Sequence, residues 1–185
     1  MKTFTKTWLV ALALSSAAAA VQAADTVNVG GQAMYASKDI IDNAVNSAEH
    51  TTLVAAVKAA GLVETLKGKG PFTVFAPTNA AFAALPAGTV DTLLKPDSKA
   101  ALTKVLTYHV VPGKFDMKAL SMAIKQGGGT AELKTASGGK LWFMHNGPSN
   151  IQVKDEAGHV ANISTYDVYQ SNGVINVIDA VLMPK

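Results

Sequence analysis

Four histidines are the side chains of this sequence best suited to acid–base or metal chemistry: His50, His109, His145 and His159. None belongs to a His-x-x-x-His pair, which would bind zinc from one helix face. His159 follows Asp155 and Glu156 at a predicted turn, and these three side chains could hold a metal ion. A polar hairpin end explains the same residues, and we favour it. We therefore expect no metal site.

Catalytic signatures of other kinds are missing from the sequence. It contains no Gly-x-Ser-x-Gly elbow for a serine nucleophile and no Gly-x-Gly-x-x-Gly after a predicted strand. The glycine-rich stretch 67–70 precedes a strand, not a helix, so we interpret it as a solvated turn. Carboxylates are scattered, and no pair stands out as an acid–base couple. We predict a protein that is not an enzyme and has no cofactor. An exported hydrolase is an alternative that ranks below the two binding functions given at the end of this section.

Composition excludes several other classes of protein. The 185 residues include no cysteine, which rules out disulfides and thiolate metal sites. All 16 basic residues are lysine, so the bidentate guanidinium fork that grips phosphate or guanine is missing. Hydrophobic residues make up 49% of the chain and charged residues 16%, which excludes a disordered protein. This length suits one domain with a substantial core.

The N-terminal segment has the pattern of an export signal. Lys2 and Lys6 precede an apolar or small-residue run from Trp8 to Val21. This run is shorter than the roughly 20 residues that a spanning helix needs. We predict a signal peptide over residues 1–23, cut after Ala23, with no transmembrane anchor after its removal. The remaining chain carries 14 lysines against 13 acidic residues, a poor balance for binding nucleic acid.

Helical patterns dominate the first part of the mature chain. Residues 24–37 lack periodicity and are predicted to form an extended arm. Ser37 is the expected N-cap of the first helix, and a second helix begins near Thr51 and ends at Gly61. A longer helix begins at Ser98 and places one face inward. That face comprises Leu102, Val105, Leu106 and His109.

Strand patterns dominate the second part. Alternating residues after Gly129 are divided by turn signals at 137–139, 146–148, 155–158 and 172–173, which indicates antiparallel strands. One earlier strand, 72–76, is bounded by prolines and must insert into the later sheet. Helices followed by strands predict an α+β fold rather than a parallel βαβ sheet. One domain is expected over residues 38–185.

Three segments resemble the fasciclin-like domain family. They are GPFTVFAPTNAAFAALP at 70–86, YHVVPG at 108–113 and SNGVINVIDAVLMP at 171–184. Their order and spacing are similar to the family's, and the resemblance covers residues 38–185. It is closest to the small, secreted, single-domain bacterial type. The resemblance implies a wedge-shaped β-sandwich of antiparallel strands with several helices packed on it.

The resemblance also implies roles for particular residues. It points to Tyr108 and His109 as a partner-binding pair, although the helical pattern places His109 on a buried face and Tyr108 at its edge, with a hydroxyl that could reach solvent. The structural motif residues are Phe72, Thr78, Asn79, Asn172, Gly173 and Asp179. Thr78 or Asn79 is expected to cap a short helix. Asn176 stands where the family often has histidine, and we interpret it as a structural variation.

The family's usual roles favour a secreted adhesion module that binds without catalysis. The expected partner is a protein or polysaccharide on a cell surface or in the extracellular matrix, and the expected state is a monomer, periplasmic or extracellular. Exposed tyrosines would supply the binding patch, and the candidates are Tyr35, Tyr108, Tyr166 and Tyr169. The alternative, suggested by the hydrophobic content, is an exported carrier of a small apolar, lipid-like ligand. A deep apolar pocket would favour that alternative.

Overall fold

Most helices lie in the first half of the described chain and most strands in the second. The computed structural model describes residues 26–185, so the predicted signal peptide at 1–23 lies outside the described residues. The helices are α1 (Ile40–Ala44), α2 (Thr51–Ala60), α3 (Val63–Lys67), α4 (Asn79–Ala83), α5 (Thr89–Leu93), a 3-10 turn (Pro96–Ser98), α6 (Lys99–Tyr108) and α7 (Met117–Gln126). The strands are β1 (Thr26–Val29), β2 (Gln32–Tyr35), β3 (Phe72–Pro77), β4 (Val110–Pro112), β5 (Thr130–Lys134), β6 (Lys140–His145), β7 (Ile151–Lys154), β8 (Val160–Gln170) and β9 (Gly173–Ile178).

The segment expected to be an extended arm is a β-hairpin. β1 and β2 pair antiparallel through a turn at Gly30 and Gly31, both of which have positive φ. Val29 and Met34 are buried in the same cluster as the first helices. The prediction missed this hairpin because four-residue strands with one buried side chain each carry too little periodicity to be recognised.

Helix ends follow the local signals with one exception. Gly61 ends α2 in the left-handed region with φ 73°, as the sequence predicted. Asp116 caps α7 through its side chain, which accepts a hydrogen bond from the Ala119 backbone N–H. The N-cap of α1 is Asp39 rather than Ser37, because the Asp39 carboxylate accepts from the Asp42 N–H.

Seven strands form one mixed sheet in the order β4-β3-β9-β8-β7-β6-β5. The early strand β3 lies inside this sheet as predicted, parallel to β9 and antiparallel to β4. Every other neighbouring pair is antiparallel. The Ala136 N–H donates to the Val110 carbonyl at 2.7 Å, which brings the end of β5 against β4 and curls the sheet towards a barrel.

Two strands differ from the predicted pattern. β4 lies where no strand was predicted, since 72–76 was the only strand expected before Gly129, and its three residues complete the sheet beside β3. β8 is not a regular strand, since its pairing with β9 is irregular and it bends at Asp167, which has φ 57°. Both features depend on a partner strand that is distant in sequence.

The core consists of two clusters on the two sides of β3 and β9. One packs the helices and the β1–β2 hairpin against Val74 and Ile175. The other fills the curled sheet with alternate residues of β6, β7 and β8, including Phe143, whose ring centroid lies 5.0 Å from that of Phe75. The predicted α+β class is therefore confirmed, with one parallel pair among the strands. In residues 26–185 no helix is long and apolar enough to cross a membrane.

Candidate functional site

Tyr108, the predicted surface residue, is fully buried at the end of α6. Its hydroxyl donates to the Lys140 carbonyl at 2.7 Å and accepts from the Glu156 N–H at 3.0 Å. Burial raises the pKa of Tyr108 to about 12. The expectation that this hydroxyl reaches solvent is wrong, because both of its hydrogen bonds are made to backbone groups of the strand ends.

His109 is buried and hydrogen-bonded, as its helical position predicted. Nδ1 lies 2.8 Å from the Val105 carbonyl, and Nε2 accepts from the Leu182 N–H at 3.0 Å. A carbonyl can only accept and an amide N–H can only donate, so these partners fix the neutral Nδ1–H tautomer. Burial lowers the pKa of His109 to about 4. Partner binding by Tyr108 and His109 stays a prediction, and a partner would reach them only through the residues that cover them.

Thr78 and Asn79 divide the capping role between two helices. Thr78 caps α4, since its Oγ1 accepts from the Ala81 N–H at 3.2 Å. Asn79 Oδ1 instead accepts from the Thr52 N–H at 3.0 Å, in the first turn of α2. Its Nδ2 donates to the Ala48 carbonyl at 2.9 Å. Asn79 therefore supplies to α2 the cap that His50, at the N-cap position, does not make.

Asn172 connects the β8–β9 turn to the first helices. Its Oδ1 accepts from the Ile40 N–H at 3.1 Å, and its Nδ2 donates to the Leu66 carbonyl at 2.7 Å. Gly173 lies opposite Phe72 in the parallel register, and a Cβ there would come 2.1 Å from the Phe72 carbonyl oxygen. Only glycine allows this close approach.

The side chains of Asp179 and Asn176 are also hydrogen-bonded to other parts of the protein. Asp179 accepts from the Asn162 N–H at 2.7 Å, directly after β9. Asn176 is fully buried, and its amide bridges the Asp167 N–H at 3.2 Å and the Phe115 carbonyl at 3.3 Å. An uncharged amide suits that position because it both accepts and donates.

At the hairpin end, the side chains of Asp155 and His159 contact each other. The buried Asp155 carboxylate lies 2.9 Å from His159 Nδ1 and accepts from the Met183 N–H at 2.8 Å. In the described part of the chain, no group of three or more histidine, aspartate and glutamate side chains is placed to hold a metal. The carboxylate thus ties the C-terminal segment to the hairpin.

One buried serine–histidine contact resembles part of a hydrolase site. Ser47 Oγ lies 2.8 Å from His50 Nδ1, and both residues are buried. No carboxylate of residues 26–185 bonds the other ring nitrogen, which has no hydrogen-bond partner there. The dyad therefore lacks the third group that orients a catalytic histidine.

Two of the candidate tyrosines are exposed. Tyr35 is 40% exposed and Tyr169 is 37% exposed, whereas Tyr166 is partly buried and accepts from the Ile151 N–H at 2.7 Å. The Lys38 ammonium lies 5.2 Å from the Tyr35 ring centroid, and the Lys114 ammonium lies 4.6 Å from that of Tyr169. A lysine ammonium thus lies over the face of each exposed ring, within the distance of a cation–π contact.

Near both tyrosines lies a groove that we call the tyrosine–lysine groove; neither ring lines it, but each lies next to residues of its walls. Its volume is about 520 Å³, and its walls are the loop 67–71 and the turn 170–173. Lys114 extends from one wall over Tyr169. At the other end the Ser171 N–H donates to the Lys38 carbonyl at 2.9 Å, which places Tyr35 and its lysine beside the turn.

The charge of this groove is only partly balanced. Lys67 pairs with Asp42 at 2.6 Å and with Asp39 at 3.9 Å. Lys69 and Lys114 form no ion pair with any residue in the range 26–185. The sequence interpretation missed the groove, because its residues come from four separate segments: Asp39, 67–71, Lys114 and 170–173. The stretch 67–70, predicted to be a solvated turn, contains the last residue of α3 and a bend, and it also lines the groove.

Comparisons with known proteins agree on one family. The family model of the Fasciclin domain matches residues 48–184. Protein sll1483 of Synechocystis is 51% identical over 147 residues, which cover 78% of this chain and 73% of that protein. The cell surface glycolipoprotein MPB83 of Mycobacterium bovis is 36% identical over 160 residues, which cover 84% of this chain and 64% of that protein.

A solved structure shows the same fold. It is a FAS1 domain pair from the insect cell adhesion molecule Fasciclin I, with a TM-score of 0.67 and 19% sequence identity. The match covers 79% of this chain and 51% of that one. With the family model matching well over half of its length, this chain belongs to the Fasciclin domain family.

Proposed function

We propose that the protein is an exported adhesion module that binds a cell surface or the extracellular matrix, without catalysis, through the tyrosine–lysine groove. The observation that carries this proposal is that the two most exposed tyrosines lie beside the residues that line one groove. Tyrosine offers a large apolar face with a polar tip and loses little conformational entropy on binding. The groove's volume lies within the range of ordinary binding sites.

Related proteins support the general role. MPB83 is named as a cell surface glycolipoprotein, and Fasciclin I is an insect cell adhesion molecule. The apolar segment near the N-terminus has the composition of an export signal, which would bring the domain to the same side of the membrane as such partners. We expect the partner to be a surface protein or polysaccharide and the module to act as a monomer.

The experiment measures attachment and folding together. Beads coated with the protein are counted on the cells of the producing organism and on matrix-coated surfaces, and a melting curve is recorded for each variant. Tyr169→Ala and Tyr35→Ala should each reduce attachment with little change in the melting temperature. Val160→Ala is the matched control, since Val160 is 44% exposed and begins β8, whereas Tyr169 lies near the other end of that strand.

Two results would contradict the proposal. Attachment that persists in both tyrosine variants would remove the groove from the mechanism. Attachment that falls as much in Val160→Ala would show that any exposed apolar residue contributes and that the groove has no special role.

The alternative function, a carrier of a lipid-like ligand, has less support. The apolar cavity of the first core cluster measures about 80 Å³. An engineered cavity of about 150 Å³ holds one benzene molecule, so a lipid chain is too large for this space.

A further inference from the structure

The sequence contains two Asn-Gly pairs, Asn146-Gly147 and Asn172-Gly173, and predicts a turn at each. Asparagine is chemically labile because the backbone nitrogen of the next residue can attack its side-chain amide. Glycine hinders this attack least, since it has no Cβ. Every other asparagine of the sequence is followed by a residue with a side chain. The two pairs therefore share one reactive pattern, and their surroundings decide which of them reacts.

The side-chain amide of Asn172 is held in place by three hydrogen bonds. Its Oδ1 accepts from the Ile40 N–H at 3.1 Å, and its Nδ2 donates to the carbonyls of Leu66 at 2.7 Å and Gly68 at 3.1 Å. Gly173, the first residue of β9, is buried between β3 and β8. Attack by the Gly173 nitrogen would therefore have to break these hydrogen bonds and move a buried strand.

Asn146 lies in an exposed turn between β6 and β7. Its side-chain amide makes one hydrogen bond, from Nδ2 to Asn162 Oδ1 at 3.1 Å, and this bond is exposed to solvent. Gly147 is exposed, and its N–H forms no hydrogen bond with any group of residues 26–185. The attacking nitrogen is thus free, and a single surface contact holds the amide that it would attack.

We propose that Asn146 is a site of spontaneous deamidation in the folded protein and that the fold protects Asn172. The deprotonated Gly147 nitrogen attacks Asn146 Cγ and the Cγ–Nδ2 bond breaks. Ammonia leaves, with the proton that the Gly147 nitrogen gave up, and a succinimide ring remains. Water then opens this ring. Cleavage of the Cγ–N bond gives aspartate, and cleavage of the bond between the α-carbonyl carbon and nitrogen gives isoaspartate.

Either product changes the surface of this hairpin. The Asn146 amide donates to Asn162, whereas the carboxylate that replaces it can only accept. Asn162 also donates to the Asp179 carboxylate, from its N–H at 2.7 Å and from its Nδ2 at 3.0 Å. Deamidation therefore brings a second negative charge to a cluster that already holds one. Isoaspartate in addition lengthens the backbone by one methylene beside the bond from the Asn146 N–H to the Asn150 carbonyl.

Hydrogen bonding sets the difference in rate between the two pairs. The side-chain amide must leave its partners before it is attacked, and Asn172 has two more hydrogen bonds to break than Asn146. Two hydrogen bonds of ordinary net strength correspond to a rate that is about thirty-fold lower. The burial of Gly173 in the sheet slows Asn172 further. In the unfolded chain both pairs lose these contacts and should react at similar rates.

Peptide mapping by mass spectrometry tests this proposal on the purified protein, incubated for several weeks at pH 7 and at pH 8. Digestion at mildly acidic pH keeps sample preparation from adding deamidation. We expect Asn146 to be converted to aspartate and isoaspartate at least about thirty-fold faster than Asn172. Conversion should be faster at pH 8, because the attacking nitrogen must lose its proton. A parallel incubation in guanidinium chloride should bring the two rates together.

Two variants serve as controls. Asn146→Gln should stop the reaction at this position, since the longer side chain places its carbonyl carbon too far along for a five-membered ring to close. Asn146→Asp is the chromatographic standard for the aspartate product. The proposal is overturned if Asn146 stays intact in the folded protein, if Asn172 reacts as fast there, or if any other asparagine reacts faster. A rate difference that persists in guanidinium chloride would overturn the protective role of the fold. These readouts do not depend on adhesion.

Discussion

Acid should destabilise the protein through His109, because the fold requires a neutral imidazole there. Nε2 accepts the Leu182 N–H, and a protonated ring has no lone pair for that bond. Burial is the main cause of the low pKa of about 4, while the Val105 carbonyl and the Asp155 charge oppose it only in part. Between pH 7 and pH 4 the unfolded chain therefore binds a proton at His109 that the folded protein does not bind, and this favours unfolding.

The size of the effect follows from the two pKa values. In the unfolded chain His109 has an ordinary pKa of about 6.5. The stabilisation is fully present above pH 6.5 and is lost as the pH falls towards 4, since only the unfolded state binds the proton in that window. The expected slope near pH 5 is about 1 kcal/mol per pH unit, and the total loss is about 3 kcal/mol. His50 adds to the loss, whereas the raised pKa of the partly buried Asp167 opposes it.

Urea unfolding between pH 7 and pH 4.5 measures this slope. The comparison is with His109→Gln, whose amide can donate to the Val105 carbonyl and accept from the Leu182 N–H without titrating. The variant should lose about 1 kcal/mol per pH unit less than the native protein near pH 5. His145→Gln, which replaces an exposed histidine, should keep the native slope. Parallel lines for the native protein and His109→Gln would refute the reasoning, whatever their absolute stabilities.

Three further changes test the packing of the motif residues. Tyr108→Phe removes the hydroxyl that bonds the Lys140 carbonyl and the Glu156 N–H and should lower the free energy of unfolding by about 1–3 kcal/mol, while bead attachment well below the melting temperature stays unchanged. Gly173→Ala forces a Cβ against the Phe72 carbonyl and should lower the free energy of unfolding by about 3 kcal/mol; an unchanged urea midpoint would show that β3 and β9 can separate. Asn79→Ala removes the cap of α2 and should lower it by about 1 kcal/mol, whereas Asn79→Asp, which keeps the acceptor for Thr52, should recover most of that loss on thermal unfolding.

Local signals were sufficient for most of the regular structure. Gly61 ends α2 because a left-handed residue is favourable only without a Cβ, and this holds wherever the helix is placed. The alternation directly after Gly129 predicts one inward face of β5, on which Ala131 is buried, since successive strand residues face opposite sides. His109 was also correctly placed on the buried face of α6, because the helical period relates it to Leu102 and Val105.

Burial of Tyr108 could not be predicted in this way. One position along α6 separates it from His109, and a single helix surface has only one inward face. Both residues are buried because α6 is covered on two sides, by the first core cluster and by the strand ends at Lys140 and Glu156. Those strand ends lie more than 30 residues away from Tyr108 in the sequence, so the local pattern of α6 does not indicate that they cover it.

The sequence by itself determined the α+β class, the positions of most helices and strands, and membership of the fasciclin-like domain family through three motifs. These features depend on backbone preferences and hydrophobic periods, which act over a few residues. Tertiary structure alone decided the candidate sites. The tyrosine–lysine groove joins Asp39 to Asn172, which lie more than 100 residues apart in the sequence. Whether a side chain is exposed, enclosed or without a partner depends on what folds against it, and that neighbour is fixed only when the sheet and helices pack.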